Sequence, residues 1–168
     1  MACPLATFQG DALYVDTNDL VGLVDADSTY HPACAAFFQR AVVSSQPIRL
    51  VTATLTLDEV IFVLLQEMLR RAPYAILRNR SQYLQTHPEI VRTLMRLIDP
   101  LLDDMSTLVS LEPVTVTDIT QMRQEMQAHG TLPRDAIHLA VMQRCGLTAI
   151  ASDDAGFDHR QDITRFHP

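Results

Sequence analysis

The chain has 168 residues, 48% of them hydrophobic, and a formal net charge of −7, the size and balance of one ordinary globular domain that can bury a core. That charge argues against a protein that grips nucleic acid by overall basicity. All 13 basic residues are arginine, so phosphate-loop nucleotide hydrolases, phosphoacceptor receiver domains and dehalogenase-type phosphatases, which need a lysine in the site, are excluded. The arginine bias itself reads as compositional drift of the source genome. Cys3, Cys34 and Cys145 are odd in number and widely spaced, a pattern of reduced thiols rather than a disulfide framework or zinc knuckle. No charged leader opens onto an apolar run, and no stretch approaches the roughly 18 apolar residues of a membrane span. The expectation is therefore a soluble, unprocessed, cytoplasmic chain forming a single domain over 1–168.

Only the first ten residues look loosely held. Apolar β-rich runs then alternate with segments of helical period, the signature of a parallel sheet with crossover helices. Strands are predicted over 12–16, 48–52, 113–116, 147–151 and 162–166. Between the first two lie a segment at 19–24 and a helix over 31–43. The next helix starts near Thr54, where Thr56-Leu-Asp-Glu59 has the spacing of a capping box, and runs to Arg71 before Pro73 interrupts it. Its apolar run over 60–65 predicts deep burial. Residues 74–108 read as a helical insertion without a strand, broken at His87-Pro88 and again at Asp99-Pro100. Two further helices are predicted: 117–129, with Gly130 as a left-handed C-cap, and 133–144, stopped at Gly146. There are no repeats, low-complexity tracts or flexible linkers.

In open parallel sheets functional groups collect beyond the carboxyl ends of the strands. Asp16 ends the first predicted strand, and Asp153 and Asp154 follow the fourth. Glu59 lies near the start of the helix after the second strand, and Asp135 in the first turn of the helix leading into the fourth. Asp16, Glu59, Asp135 and Asp154 are thus the candidate set. Gathered carboxylates raise one another's pKa, a cost normally retained when a cation neutralises them. Oxygen ligands without histidine or cysteine spacing point to Mg2+ or Mn2+ rather than zinc. Singly, each acid has a structural alternative: Asp16 as a helix cap, Glu59 as half of a capping box, Asp135 and Asp154 as favourable charges at helix starts. The conjunction of four at matching strand and helix ends carries the reading. Asp25, Asp27, Glu67, Asp103 and Asp104 lack that placement and read as solvated surface charges.

Val15-Asp-Thr-Asn18, the acid Glu59, Arg134-Asp-Ala-Ile-His-Leu-Ala140 and Ser152-Asp-Asp-Ala-Gly-Phe157, in that order, resemble the PIN-domain ribonuclease family, and within it the VapC-like toxins of toxin–antitoxin pairs. The resemblance spans nearly the whole chain. It implies a three-layer α/β/α sandwich around a central parallel sheet of four to five strands, here with the helical insertion at 74–108. It also implies three or four acids holding one or two Mg2+ or Mn2+ ions, and hydrolysis of RNA by an ion-activated water without a nucleophilic side chain. By position, Asp16, Glu59, Asp135 and Asp154 match the family's catalytic and metal-binding acids; Asp153 competes with Asp154 for the fourth place. Thr17, Asn18 and Ser152 match supporting polar positions. His138 falls in a variable position and reads as a packed or surface histidine.

The chain departs from the compact toxin pattern in its long 74–108 segment and its sparse basic residues. Arg70, Arg71, Arg78 and Arg80, with Arg92 and Arg96 one helical turn apart, would form a basic rim against RNA or, as the preferred reading, an ordinary solvated face. The leucines and methionines between Leu84 and Met105 offer apolar surface for an antitoxin or a second copy of the chain. The expected partners are RNA, an antitoxin protein and a homodimer mate, with no membrane. Two alternatives stand beside the ribonuclease: a catalytically inactive PIN-like RNA- or protein-interaction domain, and a DNA-directed nuclease of the same superfamily, which the lack of a basic arch disfavours.

Overall fold

A computed structural model describes residues 2–71 and 73–168. The sheet begins from β2 (Ala12–Val15), whose alternation decides the layering: Leu13 and Val15 enter one apolar cluster and Tyr14 the opposite one. β3 (Arg49–Ala53) repeats the split, with Leu50 on the first side and Val51 and Ala53 on the second. In β5 (Ala149–Ala151) Ile150 and Ala151 divide in the same way. A register slip of one residue would exchange these sets, so the two buried faces specify the pairing.

β4 (Ser110–Glu112), β6 (Thr164–His167) and β1 (Cys3–Pro4) complete a six-stranded sheet in the order β1-β6-β5-β2-β3-β4. Every pairing is parallel. On one face lie α1 (Thr17–Val24), α2 (His31–Val43), α3 (Thr54–Arg70), α4 (Arg80–Thr86) and α5 (Pro88–Leu108), each contributing buried side chains to the first cluster. On the other, α7 (Pro133–Arg144) supplies Leu139, Val141 and Met142 to the second cluster, and α6 (Val116–His129) packs against α7. The result is the expected α/β/α sandwich. A fully buried leucine such as Leu13, Leu20 or Leu69 contributes about 1.5–3 kcal/mol. No helix among the described residues is long and apolar enough to cross a membrane, and the three cysteines are free thiols.

Four expectations are corrected. The sheet has six strands rather than four or five, because the segment taken as loose supplies β1: Cys3 pairs with Phe166, Leu5 and Phe8 are buried, and the Phe8 ring meets Phe166 edge-on at 5.0 Å. The strand expected over 113–116 lies at Ser110–Glu112, in register with Val51–Ala53. Thr115 instead caps α6 in a capping box with Asp118, which claims the backbone just after the strand. α5 runs unbroken through Pro100. At α3, Ala53 is the N-cap without a side-chain bond, and Thr56 Oγ1 is buried without a partner, so no Thr56–Glu59 capping box forms and Glu59 is free for another use.

The elements that matter for function meet at one edge. β3 and β4 lie to one side of β2, and β5, β6 and β1 to the other. The β2/β5 boundary is therefore the switch point beyond whose carboxyl ends a crevice opens.

Candidate active site

Asp16 leaves β2 at that switch point and caps α1. One carboxylate oxygen accepts the Thr17 N–H at 2.7 Å and the other accepts the Ser152 hydroxyl at 2.7 Å. Its own N–H donates to the Ala151 carbonyl at 3.0 Å, tying the ends of β2 and β5 together. Thr17 turns back to donate its hydroxyl to Glu59 at 2.6 Å, and buried Ser152 accepts the Asp154 N–H at 3.0 Å. The three supporting residues thus divide: Thr17 and Ser152 orient carboxylates, whereas Asn18 is exposed at the pocket wall and makes no side-chain bond among the described residues.

His138 is the buried centre of this arrangement. Its Nε2 stands 3.9 Å from Asp16 and 3.9 Å from Glu59, and its Nδ1 lies 2.8 Å from the Tyr14 hydroxyl. The Tyr14 oxygen accepts the Ala53 N–H at 3.2 Å, and burial pushes its pKa well above the tyrosine range, so the phenol keeps its proton. Asp16, Glu59 and His138 offer ligand atoms within 4.8 Å of one another. With Asp135 and Asp154 in the same pocket, the donor set is dominated by carboxylate oxygen, which suits a hard divalent ion. The sequence reading of His138 as a packed histidine describes its burial but misses its place between the acids.

Asp135 and Asp154 face each other across Gly156: a Cβ there would lie 3.0 Å from Asp154 Oδ1 and 3.5 Å from Asp135 Oδ2. Asp154 Oδ1 accepts the Gly156 N–H at 2.7 Å. Burial, followed by repulsion from Asp154 and, more weakly, Asp16 and Glu59, pushes the Asp135 pKa up. An uncompensated cluster behaves this way, and a cation would reverse it. Glu59 differs. Burial would raise its pKa, but attraction to His138, the Thr17 hydroxyl and Arg134 outweighs that and holds it below the usual range. Arg134, from the start of α7, forms an ion pair with Glu59; nothing in its motif position announced this.

A pocket of about 450 Å³ collects Asp16, Thr17, Asn18, Glu59, Asp135, His138 and Asp154, with Asp58, Phe62, Val63 and Arg134 completing the wall. Asp153 stands apart from it, accepting the Tyr30 hydroxyl at 2.5 Å. Two acids escaped the sequence reading: Asp58, which lines the pocket, and Asp19, on α1 three residues after Asp16, which is fully buried with Oδ2 unpartnered among the described residues. Burial, then the charges of Asp16 and Asp153, raise its pKa. Its place in the α1 helical frame, flanking Leu20 on the buried face, was the available signal.

The surface readings hold in part. Asp27, Asp103 and Asp104 are exposed, Asp27 binding Arg71 at 3.1 Å, and Glu67 is half-buried and binds Arg70 at 2.6 Å; Asp25 is the exception, buried and bound by Arg71 at 2.6 Å. Arg80 donates to Gln66 at 3.0 Å, so half of the proposed basic rim is spent on intramolecular contacts. Leu84, Leu94, Ile98 and Met105 are buried in the core, whereas Leu97 is exposed, so only part of the apolar surface expected between Leu84 and Met105 is open to a partner.

Comparison with known proteins places this geometry. The family model described as PIN domain matches residues 13–162. The fold is similar to that of VapC20 from Mycobacterium tuberculosis, described as a sarcin–ricin loop cleaving toxin, at 19% identity and TM-score 0.56 over 88% of this chain and 93% of that one. It is similar to FitAcB from Neisseria gonorrhoeae at 16% identity and TM-score 0.57, over 92% and 96%. A toxin–antitoxin complex from Klebsiella pneumoniae aligns at 16% identity and TM-score 0.51, over 90% and 95%. No curated protein matches the sequence.

Proposed function

The chain belongs to the PIN domain family, and from that premise we propose that it is a divalent-metal-dependent endoribonuclease, acting as one unit over 1–168 and serving in the cytoplasm as the toxin of a toxin–antitoxin pair. The observation that carries the reading is the convergence of Asp16, Glu59, Asp135 and Asp154 on one pocket at the sheet's switch point. Toxins and toxin–antitoxin complexes among proteins of similar fold support the biological role.

In this reading Asp16, Asp135 and Asp154 hold Mg2+ or Mn2+, and Glu59 holds the ion or orients the attacking water. The ion supplies Lewis acidity toward the phosphodiester. Thr17 and Ser152 restrict the rotamers of Glu59 and Asp16 through the bonds described above, so the carboxylates are positioned before substrate arrives. His138, with Nε2 3.9 Å from both Asp16 and Glu59, stands between the two carboxylates and keeps them apart.

The test is Asp16→Asn. Asparagine still accepts the Thr17 N–H through Oδ1 and offers Nδ2 to Ser152, so the α1 cap persists and the stability cost stays near or below about 1 kcal/mol. Cleavage of a single-stranded oligoribonucleotide should fall at least about 100-fold, in line with loss of a positioned metal ligand, and calorimetric Mn2+ binding should weaken with it. Wild-type cleavage by a folded Asp16→Asn protein would refute the assignment.

A further inference from the structure

Phe62 stands out on α3. The helix buries Val60, Leu64, Leu65 and Leu69, while Ile61 and Val63 pack at the margin of the first core cluster; Phe62 belongs to neither cluster and is 50% exposed. Among the described residues it is the only aromatic side chain in the set of exposed large hydrophobics. Its place is specific. Three residues after Glu59 and four after Asp58, it lies on the same helical face as both, and it lines the acid pocket with them. On the other side of Glu59 stands the guanidinium of Arg134, 65% exposed and paired with that carboxylate.

The electrostatics of the pocket explain what such a residue is for. Five acids, Asp16, Asp58, Glu59, Asp135 and Asp154, line it, in a chain of net charge −7, so a polyanion gains little from the protein's field. Stacking of a base on an aromatic ring does not depend on charge, and every base has a face to stack. A base is available for stacking only where it is free of its own helical stack.

We propose that Phe62 is a base-stacking platform for the nucleotide beside the scissile phosphate, with Arg134 as its phosphate-side companion. This rests on the ribonuclease reading and adds a specificity-determining residue to it. When a cation takes the charge of Glu59, the Arg134 guanidinium loses its partner and becomes available to a phosphate oxygen. Phe62 is a specificity residue: it acts on substrate affinity and leaves the bond-breaking groups untouched.

The chain has no tryptophan, so Phe62→Trp installs a single indole at the platform. In an Asp16→Asn background, which prevents turnover, a ten-nucleotide single-stranded RNA should quench that indole. A length-matched abasic ribose-phosphate oligomer and a blunt RNA duplex should not. In the otherwise wild-type protein, Phe62→Ala should raise KM for the single strand on the order of ten-fold with kcat within about two-fold, and Phe62→Trp should restore it. Equal quenching by the abasic oligomer, or an unchanged KM in Phe62→Ala alongside normal cleavage, overturns the platform while leaving the nuclease reading intact. Cleavage that persists undiminished in Asp16→Asn, with quenching by RNA retained, overturns the nuclease reading and keeps the platform. A blue-shifted indole whose position follows protein concentration without RNA would mark Phe62 as a contact between copies and overturn the proposal.

Discussion

Asp19 shows how a single side chain can be costly within an otherwise well-packed fold. Its carboxyl is fully buried with one oxygen unpartnered, and burial followed by the charges of Asp16 and Asp153 raises its pKa. A raised folded-state pKa means the unfolded chain ionises first. Stability is therefore undiminished below the unfolded carboxyl pKa of about 3.9 and falls as pH rises through the interval up to the folded value. Asp19→Asn, isosteric with the neutral acid, should raise Tm at pH 7, by about 2–4 °C for each kcal/mol gained. The advantage should shrink as the pH is lowered toward 4, and a scanning calorimetry series over pH checks it; a gap constant with pH would show that ionisation is not the cause. The same scale holds what the motif positions could not announce. Arg134 and His138 lie in one motif with Asp135, yet only the packing of α7 against Tyr14 and α3 makes one the ion-pair partner of Glu59 and sets the other between Asp16 and Glu59.

At the scale of elements, periodicity located the helices well: the bounds of α2 and α7 match the expected ones, Gly130 adopts the left-handed conformation expected of it at φ 69°, and Gly146, expected only to stop the helix, does so at φ 68°. The misses share a cause, since local signals were outweighed by long-range ones. β4 moved to the residues that align with Val51–Ala53, and β1 exists only because Phe166 and the Phe8 pocket receive it. α5 passes through Pro100 because Leu94, Ile98 and Met105 on either side are buried in one core. That continuity has a cost, since proline removes a helical hydrogen bond and clashes with the preceding turn. Pro100 is exposed, so Pro100→Ala should stabilise by about 2 kcal/mol after allowing for the entropy regained by the unfolded chain, read as a higher urea midpoint at constant m. An unchanged midpoint would mean that the neighbouring turns already absorb the strain.

Across the whole molecule the charge is organised inward. Six of the 13 arginines, Arg70, Arg71, Arg134, Arg144, Arg160 and Arg165, are each paired with a carboxylate, and the net charge of −7 opposes the hold on a polyanion. If the proposed substrate is held by one or two phosphate contacts, log KM against log salt should have a slope of only about 0.7–1.4 in magnitude, the value for single strands. A slope of several would show that the arginines of the 70–96 region engage the RNA after all. Apolar alternation and the order of the acids were enough to determine, from the sequence by itself, a parallel sheet with crossover helices and four of the five acids that line the pocket, and the resemblance to the PIN family added the three-layer sandwich. Strand alternation and helical period are properties of the local chain, and acids at strand ends follow directly from them. Tertiary structure alone decided that Asp154 lines the pocket while Asp153 turns to Tyr30, that His138 faces the acids through Nε2, and that Phe62 stands uncovered at the rim. Each of these depends on contacts between residues tens of positions apart in the chain or on the absence of a covering neighbour, and neither is encoded in any local pattern.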